Sequence, residues 1–174
     1  QLWIMSYPDG GVRRVTNDLN QYRAIGLTQD GKKFTTVQAQ GLVNLWVAPE
    51  GDAEKAVRLP TGNVSFYSSA GNNVAWTGDG RIVFVTNEGG NADIWIADRD
   101  GNNRKQLTIS GTSNFSPVVT ADDRYVVFVS YRDGKRNVWR MNLDGNNPIR
   151  LPSGLSDGFP SLTPDDRWVV YTAF

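Results

Sequence analysis

Apolar residues fall along the chain in short runs of four to six, rich in Val, Ile, Phe, Trp and Thr, and clusters of Asp, Asn and Gly separate them. Runs of that length suit β-strands and the clusters suit tight turns, so the pattern predicts strand and turn throughout, with no helical period. The clearest stretch predicts a strand at Phe115 to Val119, a turn at Asp122-Asp123, a strand at Tyr125 to Ser130, and a loop from Tyr131 to Lys135. A third strand follows at Asn137 to Asn142, then a turn at Asp144-Gly145-Asn146-Asn147 and a fourth strand near Ile149 to Leu151. Asp side chains bond amides two residues on, and Asp-Gly and Asn tolerate the positive φ of tight hairpins. The product is a four-stranded antiparallel meander. Its second strand, Tyr125-Val126-Val127-Phe128-Val129, is apolar on both alternating sets, as befits a strand covered on both faces.

The meander recurs. A Trp inside a short apolar strand stands at Trp3, Trp46, Trp95 and Trp139, separated by 43, 49 and 44 residues. In step with it run Thr28-Gln29-Asp30-Gly31, Thr77-Gly78-Asp79-Gly80, Thr120-Ala121-Asp122-Asp123 and Thr163-Pro164-Asp165-Asp166. A third marker closes each unit at Val15-Thr16, Leu59-Pro60, Leu107-Thr108 and Leu151-Pro152. A sheet of this size cannot bury both faces alone, and four-stranded units of roughly 40 to 50 residues stacked radially make a β-propeller. The fold expected is all-β: a propeller of four-stranded antiparallel blades with about four repeat units, either a four-bladed ring or a fragment of a larger one. The units run approximately over 17–61, 62–108 and 109–152, with a split blade made of 153–174 plus 1–16 in a single domain, 1–174.

The split blade follows from the ends. Leu2 to Met5 and Val12 to Thr16 read as the last two strands of a unit, and Phe159 to Leu162 and Trp168 to Thr172 as the first two. The chain therefore reads as an excised piece whose halves pair with each other to close a small ring, pair with further parts of a longer chain, or pair in a homodimer through the split-blade ends. Unpaired sheet edges invite such pairing.

Composition narrows the function. Lys+Arg and Asp+Glu are both 18, so net charge is zero and gives no bulk attraction to nucleic acid or an anionic membrane. No apolar run approaches the ~20 residues of a spanning helix, so no direct membrane insertion is expected. With no Cys and no His, thiolate chemistry, triad hydrolysis and His-ligated metal catalysis are excluded. No sialidase-type Ser-x-Asp-x-Gly-x-Thr-Trp box occurs either. The sequence predicts no catalysis, no cofactor and no metal. Asp98-Arg99-Asp100-Gly101-Asn102 has alternating oxygens like a calcium loop but lacks the bidentate Glu that closes one, and it reads as a hairpin turn. The pairs Asp122-Asp123 and Asp165-Asp166 recur unit by unit, which marks them as turn architecture. The recurrent Trp residues read as packing between blades.

Asn91-Ala92-Asp93-Ile94-Trp95-Ile96-Ala97-Asp98-Arg99-Asp100-Gly101-Asn102-Asn103-Arg104-Lys105-Gln106-Leu107-Thr108 resembles the PD40, or TolB-like, WD40-related repeat. Ser116-Pro117 through Asp122 to Gly134 is similar to the first half of the same repeat. The resemblance covers essentially the whole chain and implies a module that recognises or gates. Three settings remain open on it: a periplasmic TolB-like scaffold, the extracytoplasmic part of a bacterial serine/threonine kinase, and the gating propeller of a prolyl-oligopeptidase-like peptidase. It also implies a periplasmic or extracytoplasmic location.

Positions that differ between blades are not dictated by blade architecture, so they carry the functional search. The loops joining the fourth strand to the next first strand, and the second strand to the third, emerge on one face around the channel mouth, where rigid scaffolds carry binding residues. The candidates for a protein or peptide partner are Tyr22, Arg23, Phe66, Tyr67, Asn114, Phe115, Asp157 and Phe159 from the first kind of loop. Glu88, Tyr131 and Arg132 come from the second. Aromatics and Arg dominate binding hot spots.

Overall fold

The computed structural model of the chain describes residues 2–17, 21–39, 44–60, 73–88, 90–152, 154 and 156–173, with only the backbone at 21, 23, 38 and 39. The chain divides into two compact units, Gln1–Leu42 and Val43–Phe174. In the first, β1 (Trp3–Met5) pairs with β2 (Val12–Arg14), and β3 (Gln21–Leu27) pairs with β4 (Phe34–Ala39). In the second, β5 (Trp46–Val47) pairs with β6 (Val57–Arg58) across two single-turn 3-10 helices, Pro49–Gly51 and Ala53–Lys55.

Two complete antiparallel blades follow. One is β7 (Val74–Trp76), β8 (Ile82–Thr86), β9 (Asp93–Ala97) and β10 (Lys105–Gln106); the other is β11 (Asn114–Val119), β12 (Tyr125–Ser130), β13 (Asn137–Asn142) and β14 (Ile149–Arg150). A two-stranded sheet of β15 (Asp157–Leu162) and β16 (Val169–Ala173) ends the chain. The expected all-β architecture with four-stranded antiparallel blades is present, and β12 and β13 have the bounds the pattern predicts. Repeat unit 17–61 occurs as the separate pairs β3–β4 and β5–β6, so its assembly into one blade rests on the repeat alone.

Burial explains why β8 and β12 are apolar on both faces. Val83 and Val85 point into a cluster with Ile94, Ile96, Val126, Phe128 and Met141 that joins the two complete blades. Their neighbours Ile82 and Phe84 point the other way, into a cluster with Leu59 and Ala97. A strand sandwiched between layers needs hydrophobic side chains at every position. The recurrent Trp residues divide in two groups. Trp95 and Trp139 pack against these clusters, whereas Trp3 and Trp46 are 57% and 58% exposed. Packing between blades therefore describes Trp95 and Trp139 and corrects the expectation for the other two.

The turns carry the repeat. In each Thr-x-Asp turn the threonine hydroxyl donates to the Asp carboxylate, as Thr120 does to Asp122 at 2.7 Å, and the carboxylate also accepts the N–H two residues on. The Thr120 hydroxyl and that amide hold Asp122 below the usual carboxylate range. At Asp79 the Arg81 guanidinium leads, with the Thr77 hydroxyl next, and the carboxyl falls to about 2.

The second Asp of the later turns has a different task. Asp123 accepts the N–H groups of Gly78 (2.7 Å) and Asp79 (3.1 Å) in the preceding blade's turn, and Asp166 accepts that of Ala121 at 2.6 Å. Each carboxylate ties one blade to the one before it. In the first two turns the position is Gly31 and Gly80, which have no side chain to reach back.

Turns joining third to fourth strands approach the preceding blade closely. A Cβ on Gly145, at φ +91°, would lie 2.8 Å from the Leu107 carbonyl oxygen; one on Gly134, at φ +76°, would meet nothing within 4 Å. Left-handed backbone costs a non-glycine residue about 1–2 kcal/mol. Gly134→Ala should therefore cost about 1 kcal/mol and Gly145→Ala about 2–3 kcal/mol, because only the second adds a collision with backbone that cannot yield. Urea melts of the two variants check this, and equal losses would refute the close approach.

Candidate functional site

The loops of the complete blades converge as expected. The loop between β10 and β11 meets the loop between β12 and β13 where the Tyr131 N–H donates to the Ser113 carbonyl at 3.2 Å. There the Phe115 and Tyr131 rings lie 5.7 Å apart at 51°. Phe115 is buried and Tyr131 is exposed, so the pair anchors one aromatic and presents the other.

Asn114, the first residue of β11, is fully buried. Its amide donates to Asp93 Oδ1 (3.0 Å), Ser110 Oγ (3.0 Å) and the Thr112 carbonyl (2.8 Å). Asp93 in turn accepts from Thr108 Oγ1 at 2.7 Å and Gln106 Nε2 at 3.1 Å, and Thr108 Oγ1 accepts the Ile94 N–H at 2.9 Å. This network joins β9, the end of β10 and the start of β11, fixing the base of the loop. Asn114 thus positions the loop, and its side chain is not displayed.

The arginines near this face lie on aromatic rings. Arg132 sits 4.5 Å from the Trp139 centroid and 5.4 Å from that of Phe128, with Nε donating to Ser130 Oγ at 3.1 Å. In the preceding blade Arg104 covers Trp95 at 5.1 Å and Phe84 at 5.8 Å, and an ion pair of 2.8 Å binds it to Glu88. A cation over an aromatic face gains about 0.5–2 kcal/mol, more as water is excluded. Glu88 is therefore committed to an ion pair within its own blade.

Asp157 and Phe159 sit on β15, the first strand of the next unit. Asp157 is fully buried, its N–H donates to the Arg136 carbonyl at 2.8 Å, and its Oδ1 accepts the Gly154 N–H at 3.1 Å. Phe159 occupies a β-bulge at φ +54°, 38% exposed, with the Arg136 guanidinium 5.8 Å from its ring. Ser116 holds the same place in β11 at φ +52° and Ala24 in β3 at φ +56°. Bulges re-aim side chains, and a bulky residue at positive φ is uncommon.

The structure thus brings Asn114, Phe115, Tyr131 and Arg132 together, and links Asp157 and Phe159 to the β12–β13 loop through Arg136. Tyr22 is half-buried on β3 in the other compact unit, beside Arg23, of which only the backbone is described. Phe66 and Tyr67 lie outside the described residues. Reading the sequence missed Arg104, Arg136 and the Asp93 network. The first was open to discovery by aligning units, since Arg104 matches Pro148 just as Glu88 matches Arg132.

No cluster of three or more potential metal-ligating side chains occurs among the described residues. At Asp98 to Asn103 the carboxylates are held by turn amides, including Asn103 Nδ2 to Asp98 Oδ2 at 2.6 Å and Asn102 N–H to Asp100 Oδ1 at 3.0 Å. No described helix is long and apolar enough to cross a membrane.

Known proteins share this architecture. A 45-residue stretch, 26% of the chain, is 47% identical to a "Protein TolB homolog" of Chlorobaculum tepidum and spans 10% of that protein. Among solved structures, a TolB of Agrobacterium tumefaciens superposes with TM-score 0.52 at 19% identity over 92% of this chain and 73% of its own. TolB of Acinetobacter baumannii gives 0.53 at 17% identity over 97% of this chain and 42% of its own. At such identities the likeness is one of fold. The family model for the TolB β-propeller domain, PD40, matches residues 61–174, and the chain belongs to that family.

Proposed function

We propose that this chain is a non-catalytic β-propeller scaffold that holds a protein or peptide partner on the loops at its channel mouth. The carrying observation is the meeting of Phe115, at the head of β11, with Tyr131 and Arg132 on the β12–β13 loop, beside a buried polar network. Such a base holds the displayed groups still, which reduces the ordering cost of binding. Tyr22, Arg23, Phe66, Tyr67, Glu88, Asn114, Asp157 and Phe159 complete the proposed face, with Glu88, Asn114 and Asp157 as supports. The periplasmic or extracytoplasmic location implied by the resemblance belongs to the same proposal, as does pairing of residues 153–174 with 1–16 into a further blade.

A photo-crosslinking amino acid at position 131, with a second at Arg167 in the turn at the other end of the blades, tests the face. A discrete protein adduct from 131 and none from 167 supports it. Adducts from 167 alone, or from neither, sink it.

A further inference from the structure

We propose that Arg132 receives a carboxylate of the bound partner; this rests on the channel-mouth reading and specifies its chemistry. Two blades solve one problem differently. Both place an arginine over the Trp of the third strand and the Phe of the second: Arg104 over Trp95 and Phe84, Arg132 over Trp139 and Phe128. In the earlier blade the arginine follows the Asn103 turn, and Glu88 on the loop after β8 neutralises it at 2.8 Å. In the later blade Arg132 itself occupies the Glu88 position and Pro148 the Arg104 position. The cation is kept and its counter-ion is lost.

Carboxylates near Arg132 are engaged elsewhere. Asp133 turns to Arg150 at 4.0 Å, and Asp93 already accepts from Thr108, Asn114 and Gln106. Among the described residues Arg132 forms no ion pair of 4.0 Å or less. Burial lowers its pKa, and the charges of Asp133 and Asp93 offset this only in part. A half-buried guanidinium without a counter-ion favours an incoming anion. Its planar fork, stacked on Trp139 and with Nε held by Ser130, leaves the two terminal nitrogens pre-set for bidentate binding of a carboxylate. Tyr131, exposed beside it in the chain, gives that anion an aromatic neighbour.

The probes are three hexapeptides titrated into the whole chain: Ac-Gly-Ala-Tyr-Glu-Ala-Gly-NH2, its Gln counterpart, and the Gln peptide with a free carboxyl terminus. Binding is read by isothermal titration calorimetry, which serves the wild type and every variant alike. The Glu peptide should bind about tenfold more tightly than the Gln amide, the value of one charge-assisted contact. Arg132→Gln should abolish that difference, and Arg132→Lys, which keeps charge without the fork, should retain only part of it. Thermal melts report whether each variant folds. If the free-terminus peptide matches the Glu peptide, a chain end serves as well as a side chain; if it matches the Gln amide, the carboxylate must be internal. Equal binding of Glu and Gln peptides, no binding of any, or discrimination that survives Arg132→Gln would overturn the assignment. Persistence of the adduct from position 131 in that case would leave the binding face standing and remove only its carboxylate chemistry.

Discussion

Phe128→Ala should lower the stability of the Val43–Phe174 unit by about 3–5 kcal/mol, the range for removing a buried aromatic from a core that cannot collapse. Phe128 is fully buried in the cluster that joins the complete blades, where Val83, Ile94, Val126 and Met141 surround it. It faces Trp139 across β12 and β13 and lies under Arg132, so its loss opens a void and removes one of the two rings beneath that cation. Neighbouring strands are locked by backbone hydrogen bonds and cannot move in to fill the space. Phe159→Ala is the control: its ring is 38% exposed, and its loss should cost under about 1.5 kcal/mol. Urea unfolding followed by tryptophan fluorescence, to which the packed Trp95 and Trp139 contribute, measures both. A Phe128→Ala loss no larger than that of Phe159→Ala would mean the two blades do not share one core.

What the sequence discloses is set by how local each cause is. Strands β12 and β13 were legible to the residue, because continuous apolar character and flanking Asp-Gly turns are local signals. Strands β11 and β15 begin earlier than the apolar pattern implies, at Asn114 and Asp157. Both are polar residues drawn into the sheet by distant bonds, from their N–H groups to the carbonyls of Ala92 and Arg136. The bulges at Ser116 and Phe159 left no trace, since neither residue type favours positive φ. The Thr-x-Asp turns were plain as turns. The reach of Asp123 and Asp166 into the preceding blade was hidden, because its acceptors' partners are backbone amides that carry no side-chain signature. For the proposed site, the sequence offers Phe115, Tyr131 and Arg132, which the structure brings together. Their division into displayed and supporting groups needed burial, which sorts Tyr131 from Asn114.

Asp93→Ala should cost about 3 kcal/mol, since it removes an acceptor shared by two buried donors and one part-buried donor, at about 1–3 kcal/mol each, less what their other partners and entering water restore. Those donors are Thr108 Oγ1, Asn114 Nδ2 and Gln106 Nε2, and Asn114 holds the base of the loop that carries the proposed site. Asp93→Asn keeps the shape but replaces one acceptor oxygen by an NH2 that confronts the Asn114 amide, so it should cost about 2 kcal/mol. The next blade suggests how to repair it. At the start of its third strand stands Asn137 and at the start of the following first strand Asp157, the same two residue types with places exchanged. If each interface needs one carboxylate and one amide in either order, Asp93→Asn combined with Asn114→Asp should regain more than half of the loss, a coupling of about 1–2 kcal/mol. Chemical denaturation of the wild type, both single variants and the double variant closes the cycle. Strict additivity would show that the network is fixed in one orientation by Thr108 and Gln106, and that the exchange in the next blade reflects a different local bonding pattern.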